Sequence, residues 1–302
     1  MRVLDAAATA QALPWAALLL ALEDVCREHA AGLIGCPPRL VLPLAAGGSL
    51  LVMPAISPGL SITKLVTVHP ANRGLGVATI QGEVVVMDSA TGERLLLLDG
   101  PTVTARRTAA VSMLAVHLLM TRSLAKVLIV GTGAQALAHG EALAALHPQA
   151  ERFVHSRGRP LADLAALDWD LVICATSSHT PVLPPALVNA LGAQALVIGV
   201  GAFRPDMVEL PPALVAAAQV FVDDAEGAQA EAGDLLAAGL TAPQTSLQDL
   251  VMGHAPVLDG RPRVFKSVGC ARWDLAAARV AVKTLAASHS PPCQSDPPPS
   301  AV

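Results

Sequence analysis

Aromatic residues are scarce in this 302-residue chain, which has four phenylalanines, three tryptophans and no tyrosine. Without tyrosine, no phenol can serve as a proton donor in any reaction at this protein's surface. Charged residues make up only 15% of the chain, and the net charge is −4. Because nucleic-acid binding needs basic residues and rings that stack on bases, this composition argues against a nucleic-acid partner.

Long apolar runs are also absent, although 53% of the residues are hydrophobic. The longest apolar stretch near the N-terminus, residues 12–22, contains Pro14 and ends at Glu23. It is shorter than the ~20 residues of a membrane-spanning helix. Asp5 stands where a signal peptide would carry basic residues. We therefore expect no membrane partner and a cytoplasmic location.

Cysteine and histidine show none of the spacings that mark disulfide frameworks or metal sites. The five cysteines are scattered and include no Cys-x-x-Cys pair. An odd, dispersed set in a chain of this size indicates reduced thiols. The nine histidines include no His-Glu-x-x-His spacing, so we expect no metal.

The order of predicted strands and helices divides the chain into two domains. Residues 1–120 combine helices with short strands, among them a hairpin within residues 83–99, which predicts an α+β domain with antiparallel strands. Residues 121–263 alternate apolar strands with helices, which is typical of an α/β fold with a Rossmann-type, doubly wound parallel sheet. We expect residues 264–287 to return to the first domain as a C-terminal helix. The proline-rich residues 288–302 are predicted to be disordered.

The strongest local motif is a glycine loop, Gly131-Thr-Gly133-Ala-Gln-Ala136, between a predicted strand and a predicted helix. Gly131 permits a tight turn, and Gly133 lets the backbone approach a pyrophosphate. The free N–H groups at the start of the helix attract phosphate. A plain turn without ligand has the same spacing, but the strand before it, the helix after it and the further β/α units favour dinucleotide binding.

The end of the next strand indicates which dinucleotide is bound. A chain that selects NAD carries an acidic residue there for the ribose 2′-hydroxyl, whereas this chain carries Ser156 and Arg157. Arginine can pair with a 2′-phosphate, so we predict NADPH and leave NADH open. A solvated basic loop is the alternative. Thr176 and Val200 follow later strands, at the sheet edge where the nicotinamide would lie.

Three cations of the first domain are candidate anion ligands. Lys64 lies within an apolar strand, where it could instead protect a sheet edge. Arg107 adjoins Arg106 on a predicted helix, and one of two adjacent arginines usually faces solvent. Arg39 precedes a strand. Together they would form a pocket for a carboxylate, but their spacing alone does not show that they converge.

Ordered motifs along nearly the whole chain resemble the ornithine cyclodeaminase/mu-crystallin family. The matching stretches are Met53-Pro-Ala55, Thr63-Lys-Leu-Val66, Asn72-Arg-Gly74, Asp88 to Gly92, Leu98-Asp-Gly100, Thr104 to Ala110, Gly131 to Gln135, Ala175-Thr-Ser-Ser178, Arg204 to Leu210, Glu231-Ala-Gly-Asp234 and Val264 to Gly269. The resemblance implies a two-domain homodimer whose first domain binds the substrate and forms the dimer interface.

The resemblance also implies roles for individual residues. Lys64 and Arg107 would be catalytic and, with Arg39, would hold the substrate carboxylate, while Ser49 and Glu231 are weaker candidates for the substrate site. Lys64, Ser49 or a water could supply the proton. The implied cofactor ligands are Gly131, Gly133, Ala134 and Gln135 at the pyrophosphate, Ser156 and Arg157 at the adenosine ribose, and Thr176, Val200 and Ser267 near the nicotinamide.

One departure from the family bears on the activity. Ornithine cyclodeaminases have an aspartate shortly after the fourth strand of the parallel sheet, where this chain has Phe203, and Asp206 is too far along to replace it. The resemblance therefore favours NAD(P)H-dependent reduction of a small cyclic imino acid, 1-pyrroline-2-carboxylate, to L-proline. The ring size stays open, because 1-piperideine-2-carboxylate would give L-pipecolate. The alternatives are alanine dehydrogenase, ornithine cyclodeaminase and a non-catalytic, crystallin-like binder of NADP and a small ligand.

Overall fold

The computed structural model describes residues 1–156, 164 and 167–287, with Arg73 described by its backbone alone. The predictions for Arg157 and for residues 288–302 lie outside these residues. The strands are β1 (Arg2–Val3), β2 (Leu40–Pro43), β3 (Ser49–Ile56), β4 (Leu60–Val68), β5 (Ile80–Asp88), β6 (Arg94–Asp99), β7 (Lys126–Val130), β8 (Glu151–His155), β9 (Leu171–Cys174), β10 (Leu196–Gly199), β11 (Gln219–Val222), β12 (Thr245–Ser246) and β13 (Arg263–Lys266).

The helices alternate with these strands in the second half of the chain. They are α1 (Ala6–Gln11), α2 (Trp15–Ala30), α3 (Gly100–Leu119), α4 (Ala134–Leu146), α5 (Pro185–Ala190), α6 (Pro212–Ala217), α7 (Ala225–Glu231), α8 (Gly233–Ala237), α9 (Leu247–Val251) and α10 (Ala271–Ala287), with 3₁₀ turns at Ala45–Gly47 and Pro70–Gly74. No helix of the described ranges is long and apolar enough to cross a bilayer.

The first sheet has the order β1-β6-β5-β4-β3-β2 and is antiparallel except for the β1–β6 pair. The predicted hairpin of β5 and β6 is present. Along β4 the buried side chains alternate, at Ile62, Lys64 and Val66. Because successive strand residues point to opposite faces, Lys64 lies on the covered face of the sheet, against which α3 and α10 pack.

The second sheet is parallel throughout, with the order β12-β11-β13-β10-β9-β7-β8. Its central strands are buried on both faces, as the continuous apolar run of β9 requires. This sheet confirms the predicted doubly wound α/β fold. The strand order reverses between β7 and β9, and ligands of such sheets bind at this switch point, outside the carboxyl ends of the strands.

One predicted element is wrong in its extent. The helix expected over residues 264–287 begins only at Ala271, because residues 263–266 form β13, which lies between β10 and β11. Val264 and Phe265 are fully buried and belong to the clusters on opposite faces of the sheet. Periodicity alone cannot separate such a short apolar run from the buried start of a helix.

Helix α10 returns to the domain that contains the antiparallel sheet, where it packs against α2, α3 and β4. One continuous cluster of buried apolar side chains runs through this domain and the domain with the parallel sheet, including Leu22 of α2, Leu114 of α3, Ile129 of β7 and Ala276 of α10. The short turn between β13 and α10 therefore leads from the parallel sheet directly into the core beneath the antiparallel sheet.

Candidate functional site

The glycine loop between β7 and α4 lies at the switch point of the parallel sheet. Gly131 has φ +130°, and a Cβ there would lie 2.5 Å from the carbonyl oxygen of Ala175, so the loop requires glycine. At Gly133, by contrast, a Cβ would meet nothing within 4 Å. The first turn of α4 has no side-chain cap, and Ala134 is exposed. Open space beside uncapped N–H groups suits the pyrophosphate of a dinucleotide.

Gln135 lies in the first turn of α4, directly after this loop, and Ser156 follows the neighbouring strand β8. The Gln135 Nε2 lies 3.5 Å from the carbonyl oxygen of Thr104, and its Oε1 is buried without a hydrogen-bond partner among the described residues. Ser156 directly follows β8, whose last residue, His155, accepts the N–H of Gly131 at 3.0 Å. Ser156 is therefore close to the glycine loop at the same edge of the sheet.

A buried carboxylate that sequence reasoning missed joins the two loops after β9 and β10. Glu209 Oε2 accepts hydrogen bonds from the N–H and the hydroxyl of Thr176, at 2.9 and 3.0 Å. Its Oε1 accepts the N–H groups of Gly201 and Ala202, at 2.6 and 3.2 Å. The loops that carry Thr176 and Val200 are thus held together at the sheet edge.

Lys266, at the end of β13, partly offsets the charge of two buried carboxylates beneath these loops. Its Nζ lies 2.8 Å from Asp234 Oδ2 and 3.7 Å from Glu209 Oε1, and all three side chains are fully buried. Asp234 in turn accepts the N–H of Glu209 at 2.7 Å. Burial raises the pKa of the Glu209 carboxyl above its ordinary value, while Lys266 opposes that rise.

Ser267 lies at the carboxyl end of β13, in the turn that leads to α10. Its hydroxyl donates to Asp223 Oδ2 at 2.8 Å, and the same oxygen accepts the N–H of Gly269 at 2.8 Å. Asp223 Oδ1 accepts the N–H of Val268 at 3.1 Å. Because its hydroxyl is engaged by Asp223, Ser267 helps to shape the turn that lines the predicted nicotinamide side of the site.

Lys64 and Arg107 meet on a second carboxylate that sequence reasoning missed. Lys64 Nζ lies 2.7 Å from Asp274 Oδ2, and Arg107 Nε lies 3.2 Å from Asp274 Oδ1. Asp274 is completely buried, and both cations are more than nine-tenths buried. The available signal was an aspartate among the apolar residues of the last helix, because a carboxylate there must find a cation when buried.

Arg39 and Glu231 form an ion pair beside this cluster, with Arg39 Nη2 3.0 Å from Glu231 Oε2. Arg39 also donates to the main-chain carbonyl of Gly269. A Cβ built on Gly269 would lie 2.6 Å from Arg107 Nη1, so both arginines lie against this turn. A cleft of about 150 Å³ opens between Arg39, Glu231 and Met53, the residue paired with Lys64 across β3 and β4.

The environment of Lys64 makes its proton easier to release. Burial lowers the pKa of the Lys64 ammonium from 10.5 to about 8, and the nearby Arg107 and Arg39 charges act in the same direction. Asp274 opposes them and raises the pKa. The ammonium therefore stays protonated at neutral pH yet titrates close to it.

Ser49 and Asp206, two residues considered in the sequence analysis, lie outside the cation cluster. Ser49 begins β3 opposite Val68, four positions along the strand from the Met53–Lys64 pair, or about 13 Å at the usual rise per residue. The structure does not bring Ser49 to the cations. Asp206 is 59% exposed and pairs with Arg204 at 2.9 Å, so it does not enter the buried site near Phe203.

The parallel sheet and its glycine loop define a Rossmann-type dinucleotide-binding protein, and the domain with the antiparallel sheet contributes a buried cation cluster. A model of the ornithine cyclodeaminase/mu-crystallin family matches residues 2–157 and 162–288, and the chain belongs to that family.

Several proteins are similar to this chain over almost its whole length. The Delta(1)-pyrroline-2-carboxylate reductase 1 of Burkholderia multivorans is 43% identical, covering 94% of this chain and 96% of its own. The Delta(1)-pyrroline-2-carboxylate/Delta(1)-piperideine-2-carboxylate reductase of Azospirillum brasilense is 42% identical, with 95% and 97% covered. The Thermococcus litoralis Delta(1)-pyrroline-2-carboxylate reductase, solved with NADH and L-proline, shares the fold at 22% identity and TM-score 0.84, with 95% and 98% covered.

The open space at Gly133 leads to a prediction about cofactor affinity. We expect Gly133→Ala to weaken binding of reduced nicotinamide dinucleotide at least about tenfold, because the added methyl occupies the approach of the pyrophosphate. The free energy of unfolding of this variant should change by no more than about 1 kcal/mol, because Gly133 is the N-cap of α4 and substitutions at N-caps typically have effects of this size. Gly140→Ala on the same helix is the control, since its Cβ makes only ordinary contact at 3.9 Å. Cofactor fluorescence and urea unfolding measure the two effects; equal affinities in both variants contradict the placement.

Proposed function

We propose that this protein reduces 1-pyrroline-2-carboxylate to L-proline with a reduced nicotinamide cofactor, and 1-piperideine-2-carboxylate to L-pipecolate as the related reaction. The observation that carries the proposal is the sharing of Asp274 between Lys64 and Arg107. Two cations against one carboxylate leave one positive charge in a buried site, which suits one substrate carboxylate. The reductases of Burkholderia and Azospirillum, at 43% and 42% identity, support this substrate class.

The residues at the parallel-sheet edge fit a nicotinamide dinucleotide. The uncapped start of α4 and the space above Gly133 would hold the pyrophosphate. Thr176, Val200 and Ser267 follow β9, β10 and β13 and would line the nicotinamide end. When bound in its reduced form, the cofactor supplies the hydride. Preference for NADPH is part of the proposal, supported by Ser156 and the lack of an acidic residue directly after β8.

Arg107 is suited to hold the substrate carboxylate. Its Nε lies 3.2 Å from Asp274 Oδ1 as an ion pair, and both Nε and Nη1 are buried without a hydrogen-bond partner in the described part of the chain. A carboxylate placed at this free edge would satisfy Nη1 and fix the ring in one orientation. Fixing the reacting carbon in this way lowers the barrier by removing rotational freedom.

Lys64 is suited to supply the proton that the ring nitrogen needs. Reduction of a C=N bond adds a hydride to carbon and a proton to nitrogen. An acid with a pKa near the working pH transfers protons most effectively, and the pKa of Lys64 is about 8. The chain has no tyrosine that could donate this proton, and Ser49 lies four positions along β3 from the residue that pairs with Lys64.

A homodimer and a cytoplasmic location complete the proposal. The edge strand β2 and the residue after it expose apolar side chains, Leu40, Val41, Leu42 and Leu44. An open apolar edge is a surface that a second copy can cover. The cytoplasm is proposed because Cys26, Cys36, Cys174 and Cys270 are free thiols.

A substrate panel tests the proposal directly. The purified protein is incubated with NADPH or NADH and with each cyclic imine or with pyruvate plus ammonia, and the nicotinamide absorbance is followed. A separate sample receives ornithine and the oxidised cofactor, and proline is measured by chromatography, because cyclodeamination leaves the cofactor unchanged overall. We expect turnover of the five-membered imine, faster with NADPH. Turnover only with pyruvate would indicate an alanine dehydrogenase, product from ornithine a cyclodeaminase, and tight NADPH binding without any turnover a crystallin-like binder.

Removing either cation of the cluster should abolish most activity. We expect Lys64→Met and Arg107→Ala to lower kcat/KM by about 10²-fold or more, because each removes a group acting on the substrate. NADPH affinity should stay within about twofold, since neither residue lies at the glycine loop. Lys283→Met, on the exposed side of α10, is the matched control. Wild-type turnover in either cluster variant refutes its assigned role.

The pH dependence should report Lys64. Since its pKa is about 8, Lys64 is protonated below that value and neutral above it. We expect kcat/KM to fall as the pH rises through about 8. Lys64→Arg keeps its charge throughout this range, so its residual activity should lack that fall and should show only the titration of the imine itself. Superimposable profiles for the two proteins would exclude Lys64 as the titrating group.

A further inference from the structure

Asp274 connects three elements of the fold through one carboxylate. It lies in the first turn of α10, and its two oxygens reach Lys64 on β4 and Arg107 on α3. Its side chain has no exposed surface. No other described carboxylate forms an ion pair with either of these cations. The orientation of both cations therefore depends on a residue that need not touch the substrate.

We propose that Asp274 is a positioning residue that keeps Lys64 protonated and holds Lys64 and Arg107 in a fixed relative orientation for catalysis. This inference rests on the proposed reduction, because it assigns Lys64 the proton that the ring nitrogen receives. It makes Asp274 the counterion of the proton source, and the free edge of Arg107 the site for the carboxylate.

The surroundings of Lys64 explain why it needs such a counterion. Its cross-strand neighbours are Met53 on β3 and Val84 on β5, which offer no charge and no hydrogen bond from their side chains. The charged groups that act on it are Asp274 from α10, Arg107 from α3 and Arg39 from the segment before β2. Two of these three are cations. Without Asp274, burial and both arginines would all favour the neutral amine.

Arg107 is fixed from two directions. Its Nε faces Asp274 at 3.2 Å, and its guanidinium lies against Gly269, where any Cβ would come within 2.6 Å of Nη1. Gly269 has φ +77° and donates its N–H to Asp223 at 2.8 Å, so this wall of the site is itself held in place. Asp274 and the turn at Gly269 therefore fix the orientation of the guanidinium.

Lysine is rare enough here for direct observation of Lys64. The chain contains four lysines, Lys64, Lys126, Lys266 and Lys283. Protein labelled with ¹³C at lysine Cε should give few signals, and Lys64→Met assigns one of them to Lys64. We expect this signal to titrate near pH 8 in the wild type. In Asp274→Asn, which keeps the side-chain size, the midpoint should fall by about one unit or more.

Activity provides the second readout. If Asp274 acts through Lys64, the alkaline limb of kcat/KM in Asp274→Asn moves to lower pH by the same number of units as the NMR midpoint. Loss of packing alone would instead lower activity by one factor at every pH. Asp274→Glu, which restores the charge, should return the limb toward its wild-type position. Asp259→Asn is the matched control, because Asp259 pairs with Arg261 at the surface.

The outcomes separate this inference from the proposed function. An unchanged Lys64 midpoint in Asp274→Asn overturns the positioning role. A wild-type midpoint below about 6.5 also overturns it, even if the variant does not fold, because that value belongs to a buried lysine without an effective counterion. If the midpoint shifts as expected while no cyclic imine is reduced, the counterion role stands and the proposed reaction fails.

Discussion

A single buried aspartate that faces two buried cations is the interaction on which the site depends. Transfer of a charged side chain from water to a protein interior is costly unless a partner of opposite charge is present. Asp274 offsets that cost for Lys64 and for Arg107 at once. Because it supplies one negative charge for two positive ones, it leaves the cluster attractive to an anion. The same arrangement of one carboxylate and two cations therefore stabilises the buried charges and leaves one positive charge for an acidic ligand.

Buried acids also organise the cofactor side. Glu209 accepts hydrogen bonds from the loops after β9 and β10, and Asp223 accepts them from the turn after β13. In each case the carboxylate binds main-chain N–H groups and does not lie at the exposed edge. The positions of Thr176, Val200 and Ser267 are therefore set by residues behind them, and Lys266 compensates the charge near Glu209.

The sequence predicted those elements whose conformation depends mainly on residues close together in the chain. The helix at 134–146, the β5–β6 hairpin and the glycine loop follow from apolar periodicity, turn residues and the need for small residues beside a phosphate. The roles of Asp274 and Glu209 could not be predicted, because their partners lie far away in sequence, on other elements. Strand β13 was missed for the same reason: its place between β10 and β11 is decided by tertiary pairing. The sequence and the resemblance selected Lys64, Arg107 and Arg39, but the convergence of Lys64 and Arg107 on Asp274, and the pairing of Arg39 with Glu231, required the fold.

The apolar cluster that runs from α2 and α3 through β7 to α10 has an evolutionary consequence. Four residues separate α10 from β13 of the parallel sheet, and α10 supplies the aspartate that lies under the antiparallel sheet. The two halves therefore share an interior and cannot be exchanged as independent modules. New specificity in such a scaffold has to arise by substitutions around the cleft. Replacement of residues 1–120 alone would disrupt the shared core and would separate Lys64 from its counterion on α10.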